Sequence, residues 1–430
     1  RWAAIHAEQL GACCVFPGGL ERDGSIEFLA EPIRRRFACE LRCEGIEFLY
    51  RAWLERGAGT QAVREPISRY LANSGGSLDA QYVYRAWLDA GGERELVRER
   101  LVGWLEQHCG HEQQTDFLIA AWLKATGETE LVRAPLERLL VQVATLRDTH
   151  FLYQTWLDAG GEPQFISEPF ERWLAVHGSE LEETKFMLAS WLDHGGEPKL
   201  VTQRLERWVL ARAQIEDTSF VMSAWFSAGG DHQLLRGALE CWLERYAQTE
   251  PAQFLYRAWL VSKGERAVVA DAIADWLAVN ACEGSAALVY TSWIDSGGDL
   301  AFVREPISRW LQTPASELQT AHFLYRSWLD GRGETELVQR ALLRWCEHNA
   351  TEPIAEFVFE AWLLAGGDPA LIRDAVARWL EVFGQQDQGG SVYRRWLDGH
   401  GDLGLVREPI RAWAHAATGM AENSQFVFNA

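Results

Sequence analysis

No nucleotide-binding glycine loop with its lysine, no strand-flanked dinucleotide fingerprint and no HExxH helix occurs in these 430 residues. A GxSxG elbow and the kinase signature set are missing as well. Such motifs put an acid, a base, a nucleophile or a phosphate cradle where a reaction needs it. Without them no catalytic, cofactor-binding or metal-binding residue is assigned, and no cofactor is expected. The segment is read as no enzyme, so a catalytic domain would have to lie outside it. No apolar run approaches the ~18 residues of a membrane span, and no signal peptide is visible.

Positive charge is also short. Lys and Arg number 41 against 61 Asp and Glu, a formal net charge of −20. Such a surface opposes adhesion to nucleic acid and to anionic membrane, so neither is an expected partner. The eight cysteines show no period, hence no disulfide recurring from unit to unit, and a reducing cytoplasm is the expected location. Cys13, Cys14, Cys39 and Cys43 crowd the start of the chain but lack the short paired spacing of a zinc site, and are read as free thiols. The "HCGH" at 108–111 sits in a loop, and two His with one Cys define no site.

What the chain does have is tryptophan, in register. All 21 fall on two positions of a unit repeated every 34 or 35 residues. The first position runs Trp53, Trp87, Trp122, Trp156, Trp191, Trp225, Trp259, Trp293, Trp328, Trp362, Trp396. The second lies seventeen residues later, from Trp104 to Trp413, with Tyr70 and Leu139 substituting and Trp2 belonging to a preceding unit. A fixed period of this length marks a stacked array.

Within a unit such as "YVYRAWLDAGGERELVRERLVGWL" at 82–105, apolar residues at spacings of three and four predict a first helix around the first Trp. The aromatic five residues before that Trp (Phe48, Phe117, Phe151, Phe254 and others) is counted among its buried rows. Glycine five residues after the Trp, present in ten of eleven units, is expected to end the helix in the left-handed conformation. A second, one-sided helix follows. Pro66, Pro135, Pro169, Pro306 and Pro409 fall inside it, which predicts a short turn feeding a longer helix that begins near the proline. The extra residue of the longer units lies in the return loop, where insertions are absorbed.

The expected architecture is all-α, a right-handed superhelical α-solenoid of about twelve helical-hairpin repeats. Residues 1–47 hold partial and degenerate repeats, since "CCVFPGG" at 13–19 cannot make a regular first helix. Residues 48–424 hold eleven regular repeats, and 425–430 begin a truncated further one. Both ends read as cut from a longer protein.

The tryptophans, recurring beside Leu and Val, are read as core. Contact with a partner is expected instead on the exposed row of the first helix, two residues before and two after each Trp. At the ends this row pairs Arg with Asp, as in Arg85 and Asp89. In the middle it turns small and neutral, which suits close approach of another chain. The candidate partner-binding residues are Arg85, Ala120, Lys124, Gln154, Ala189, Ser223, Ser227 and Arg257.

The hairpin unit resembles the tetratricopeptide-like and HEAT-like α-solenoids over nearly the whole chain, at the level of architecture. It departs from the tetratricopeptide pattern in placing Gly at the hairpin turn and Pro early in the second helix. The resemblance implies a scaffold or sensor region holding a protein or peptide, or another domain of the same protein, along one face. In bacteria such arms serve larger effector or signalling proteins. The alternative is a self-assembling wall of a homo-oligomer, with modular reading of single-stranded RNA ranked below it.

Overall fold

The computed structural model describes residues 45–416 except 110–114, 179–183 and 387, together with 31, 33–35 and 37. The degenerate start, its four cysteines and the segment 425–430 lie outside the described residues. The described chain is all helical, with short 3₁₀ turns, and falls into two compact units, Arg1–Trp208 and Val209–Ala430.

In the first unit the helices are α1 (Ile46–Glu55), α2 (Arg64–Ser74), α3 (Ala80–Asp89), α4 (Arg94–His108), α5 (Thr115–Thr126), α6 (Glu130–Val143), α7 (His150–Asp158), α8 (Pro163–His177), α9 (Thr184–Asp193) and most of α10 (Pro198–Arg212). The second contains α11 (Thr218–Ser227), α12 (His232–Tyr246), α13 (Ala252–Val261), α14 (Arg266–Asn280), α15 (Ala286–Asp295), α16 (Leu300–Trp310), α17 (His322–Asp330), α18 (Thr335–Asn349), α19 (Ala355–Leu364), α20 (Pro369–Phe383), α21 (Gly389–Asp398) and α22 (Leu403–Ala416). Odd helices carry the first Trp and even helices the second position, held by Tyr70 in α2 and Leu139 in α6. Within each unit an odd helix packs most closely on the next odd helix, so each is a helical-hairpin solenoid.

The tryptophans are core, and they are also tethers. All eleven first-position indoles donate Nε1–H to the carbonyl six residues on, at 3.0–3.2 Å, from Trp53 to Gly59 through Trp396 to Asp402. That bond spans the hairpin turn and ties the start of the even helix to the body of the odd one. Second-position indoles reach back 26 or 27 residues to the return loop, as Trp104 to Ser77 (2.7 Å), Trp276 to Thr249 (3.1 Å) and Trp345 to Leu318 (2.9 Å). The buried Trp379 indole nitrogen lacks such a bond.

A third tether comes from tyrosine three residues before the first Trp. Tyr84, Tyr153, Tyr256, Tyr290 and Tyr393 donate their hydroxyls at 2.6–3.0 Å to the carbonyl of the residue closing the preceding even helix. Helix ends leave such carbonyls without intrahelical partners. Trp259→Phe and Trp276→Phe should therefore each cost about 1 kcal/mol, and more where the abandoned carbonyl stays dry. Trp259→Ala should cost about 3–5 kcal/mol. Urea titration of each variant, followed by helical circular dichroism, checks the ordering; equal losses for Phe and Ala would remove the packing term.

Two expectations change. Pro135, Pro169, Pro306 and Pro409 sit inside continuous helices and start no third one. Proline there removes only one backbone bond, and equally positioned helices without it, such as α12 and α14, span the same fifteen residues as α8. The glycine five after the Trp recurs for a different reason than expected. In nine units it sits against the indole, where a Cβ would come within 2.1–2.4 Å of a ring atom. The left-handed residue is its predecessor, such as Gly195 at φ +78°, and Lys263, Arg332 and His400 hold that place elsewhere. Only Gly127 is itself left-handed at the later position, because α5 runs further before ending.

Successive hairpins are also tied along one edge. An Arg near the start of an even helix pairs with the acid that begins the next even helix: Arg64–Glu93, Arg133–Glu162, Arg236–Glu265, Arg304–Glu334 and Arg373–Asp402, at 2.8–3.4 Å. Being half-exposed, each is worth about 0–1 kcal/mol.

Candidate binding face

The residues five before, two before and two after the first Trp are separated by three and four positions, so they share one face of the odd helix. The structure places most of this row at the surface, most of its aromatics included. Phe151, Phe254 and Phe323 are 60%, 55% and 59% exposed, and Phe48, Phe117, Phe186, Phe220 and Phe357 are exposed with them. The expectation that these aromatics are buried is corrected. Seven residues are two helical turns, so the Phe stands above the Arg and Asp of its row and not beside Tyr and Leu.

The row is built differently along the chain. At the start of the first unit Arg51 pairs with Glu55 (2.7 Å) and lies 6.0 Å over the Tyr82 ring, which itself packs 5.6 Å from Phe48. Arg85 pairs with Asp89 (3.4 Å) and lies 5.3 Å over Phe117. In the second unit Arg326 pairs with Asp330 (3.3 Å) and covers Phe357 at 5.4 Å. Each such guanidinium is neutralised by its own helix and roofs the next hairpin's aromatic, a cation–π arrangement worth about 0.5–1 kcal/mol at exposed sites.

Between these stretches the row is stripped. Ala120, half-buried, and exposed Lys124 stand on α5; half-buried Gln154 stands on α7. Ala189 is fully buried at 0% exposure and offers no surface, which corrects its place among the partner-binding candidates. Its methyl is too short to reach past the side chains around it. Ser223 is half-buried, while Ser227, Arg257 and Arg85 are exposed as expected. Asp193, with Ala189 in place of an arginine, has its carboxyl pushed above the usual range by burial, and Asp158 lies 3.7 Å from His194.

Ser223, Ser227 and Arg257 come together in the second unit. A groove of about 490 Å³ runs between α11 and α13, lined by these three with Phe254, Val261 and Ser262. Phe226 lines it as well, and the His232 ring stacks on Phe226 (5.4 Å, 7°), meets Trp259 edge-on and puts Nε2 2.8 Å from Ser262 Oγ. Burial holds that imidazole below its ordinary pKa. The other candidates, Arg85, Ala120, Lys124 and Gln154, lie on the same row in the first unit.

Among the described residues no group of three or more His, Cys, Asp or Glu is placed to hold a metal ion. Cys109 is buried with its thiol on the Pro135 carbonyl (2.9 Å), and burial pushes the Cys346 thiol up to about 12. No described helix is long and apolar enough to cross a membrane.

No family model and no curated protein matches the chain. Among solved structures it is similar to a circular tandem repeat protein with novel repeat topology and enhanced subunit contact surfaces, at 16% identity, covering 99% of this chain and 92% of that one with a TM-score of 0.14. A superposition that shallow carries no weight, so the site stands on its own geometry.

Proposed function

We propose that this chain is a non-catalytic scaffold that holds a protein or peptide partner along the row of its odd helices, as part of a larger effector or signalling protein in a reducing, cytoplasmic setting. One observation carries the reading: phenylalanine recurs, exposed, at one place on successive first helices. Folding gains nothing from an aromatic left in water, whereas association does, and aromatic side chains are enriched where proteins meet. Self-assembly would use the same row with a second copy of the chain. An RNA strand could stack on the rings but would have to bring its phosphates to a chain of net charge −20.

Photo-crosslinking side chains placed at Phe254 and Phe323 should capture a partner, and one at Val279, more exposed than either and on an even helix, should not. Exchanging Phe151, Phe254 and Phe323 for serine should weaken capture at least about tenfold, the loss of one or two buried aromatic anchors, with helical content unchanged. Capture from Val279 alone, or capture indifferent to the three exchanges, would sink the reading. Crosslinks only to a second copy would favour the oligomer.

A further inference from the structure

The groove between α11 and α13 differs chemically from the rest of its row. At four other places the Arg two before the Trp is answered by a carboxylate four residues later: Arg51–Glu55 (2.7 Å), Arg85–Asp89 (3.4 Å), Arg326–Asp330 (3.3 Å) and Arg394–Asp398 (3.7 Å). On α13 the later place is Val261, and Arg257 has no ion-pair partner among the described residues. Opposite it on α11, Ser223 and Ser227 stand where other helices carry Arg and an acid. Neither hydroxyl has a hydrogen-bond partner among the described residues, although helical serines elsewhere bond back to carbonyls, as Ser167 does to Gln164 and Ser292 to Leu288.

One guanidinium and two hydroxyls therefore line a groove with no acceptor of their own among the described residues. The same groove is walled by Phe254 and Val261, 55% and 63% exposed. A ligand that fills it has to bring an acceptor and an apolar group together. An acceptor with charge suits Arg257 best, since a guanidinium binds a carboxylate through two parallel, charge-assisted bonds. A long acidic run would meet the field of a chain carrying twenty surplus negative charges. A single carboxylate beside an apolar side chain meets both demands.

We propose that the α11–α13 groove recognises an extended peptide segment in which one aspartate or glutamate adjoins a bulky apolar residue, Arg257 taking the carboxylate and Phe254 with Val261 the apolar side chain. The inference rests on the reading of the row as a protein-binding face and adds the ligand chemistry at one place on it.

The test uses the full chain and an array of twelve-residue peptides with a central Leu-Asp or Phe-Glu pair, matched against Leu-Asn, Phe-Gln and Leu-Lys. Fluorescence anisotropy should give Kd values at least about tenfold lower for the carboxylate peptides than for their amides. Arg257→Gln should erase that preference. Val261→Glu, which restores the missing acid within the helix and leaves Arg257 in place, should erase it too. Phe254→Ser should weaken acid and amide peptides alike. Equal binding of acid and amide peptides, no binding of either, or a preference surviving both variants overturns the inference. In those cases the scaffold reading stands so long as the three serine exchanges still weaken partner capture, and falls only if they do not.

Discussion

Gly196→Ala should destabilise the first unit by about 3 kcal/mol or more, while Gly195→Ala next to it should cost only about 1–2 kcal/mol. The two glycines look interchangeable in the sequence and are not. A Cβ on Gly196 would lie 2.3 Å from Trp191 Cε2 and 2.5 Å from Cδ2 and Nε1. The indole cannot retreat, being 1% exposed and tied by its Nε1 to the Glu197 carbonyl (3.1 Å). Nor can the backbone, since the Gly196 amide donates to the Trp191 carbonyl at 2.8 Å. At Gly195 a Cβ meets nothing within 4 Å, so only its φ of +78° resists substitution. Lys263, Arg332 and His400 show that side chains are accommodated at that place. Urea unfolding of both variants, read by circular dichroism, checks the claim. Equal destabilisation by the two substitutions would mean that the indole contact does not set the turn.

Raising the pH above 10 should unfold the array well before ordinary hydrolysis matters. Tyr84, Tyr153, Tyr256, Tyr290, Tyr325 and Tyr393 are all 0% exposed, and burial pushes each phenol far above its usual pKa of 10. Half-buried Tyr70 is pushed up to about 12. The folded-state values are raised, so the stability these groups contribute is fully present below the unfolded value near 10. It is lost as pH rises from there toward the folded values. Each fully buried tyrosine forfeits at most about 1.4 kcal/mol per pH unit in that window. Six acting together overtake a stability of about 5–15 kcal/mol within one to two units. Tyrosinate absorbance at 295 nm should rise together with the loss of helical signal, between about pH 10.5 and 12. Tyrosines that titrate near 10 while the helices persist would show that their hydroxyls are not held as the hydrogen bonds describe.

Much of this was legible in the pattern. The two tryptophan positions, the hairpin and the looser return all follow from a period of 34 or 35 and from glycine between two helical stretches. The row that became the candidate face was also legible, since Arg85, Ser227 and Arg257 are exposed where helical spacing puts them. The exposure of phenylalanine was hidden by residue type. Spacing put Phe254 in line with Arg257 and Val261, but an aromatic invites burial, and composition outweighed geometry.

By itself the sequence determined the all-helical unit, its length and the tryptophans of its core, because burial of an apolar stripe at helical spacing depends on local order alone. The tertiary structure decided what each side chain meets across a hairpin or a neighbouring unit. The glycine against Trp191, the Trp276 indole on a carbonyl 27 residues away, the buried methyl of Ala189 and the unanswered Arg257 beside two free hydroxyls are all of this kind. Such contacts join residues that helical periodicity cannot relate, since they depend on how closely one helix is pressed to the next.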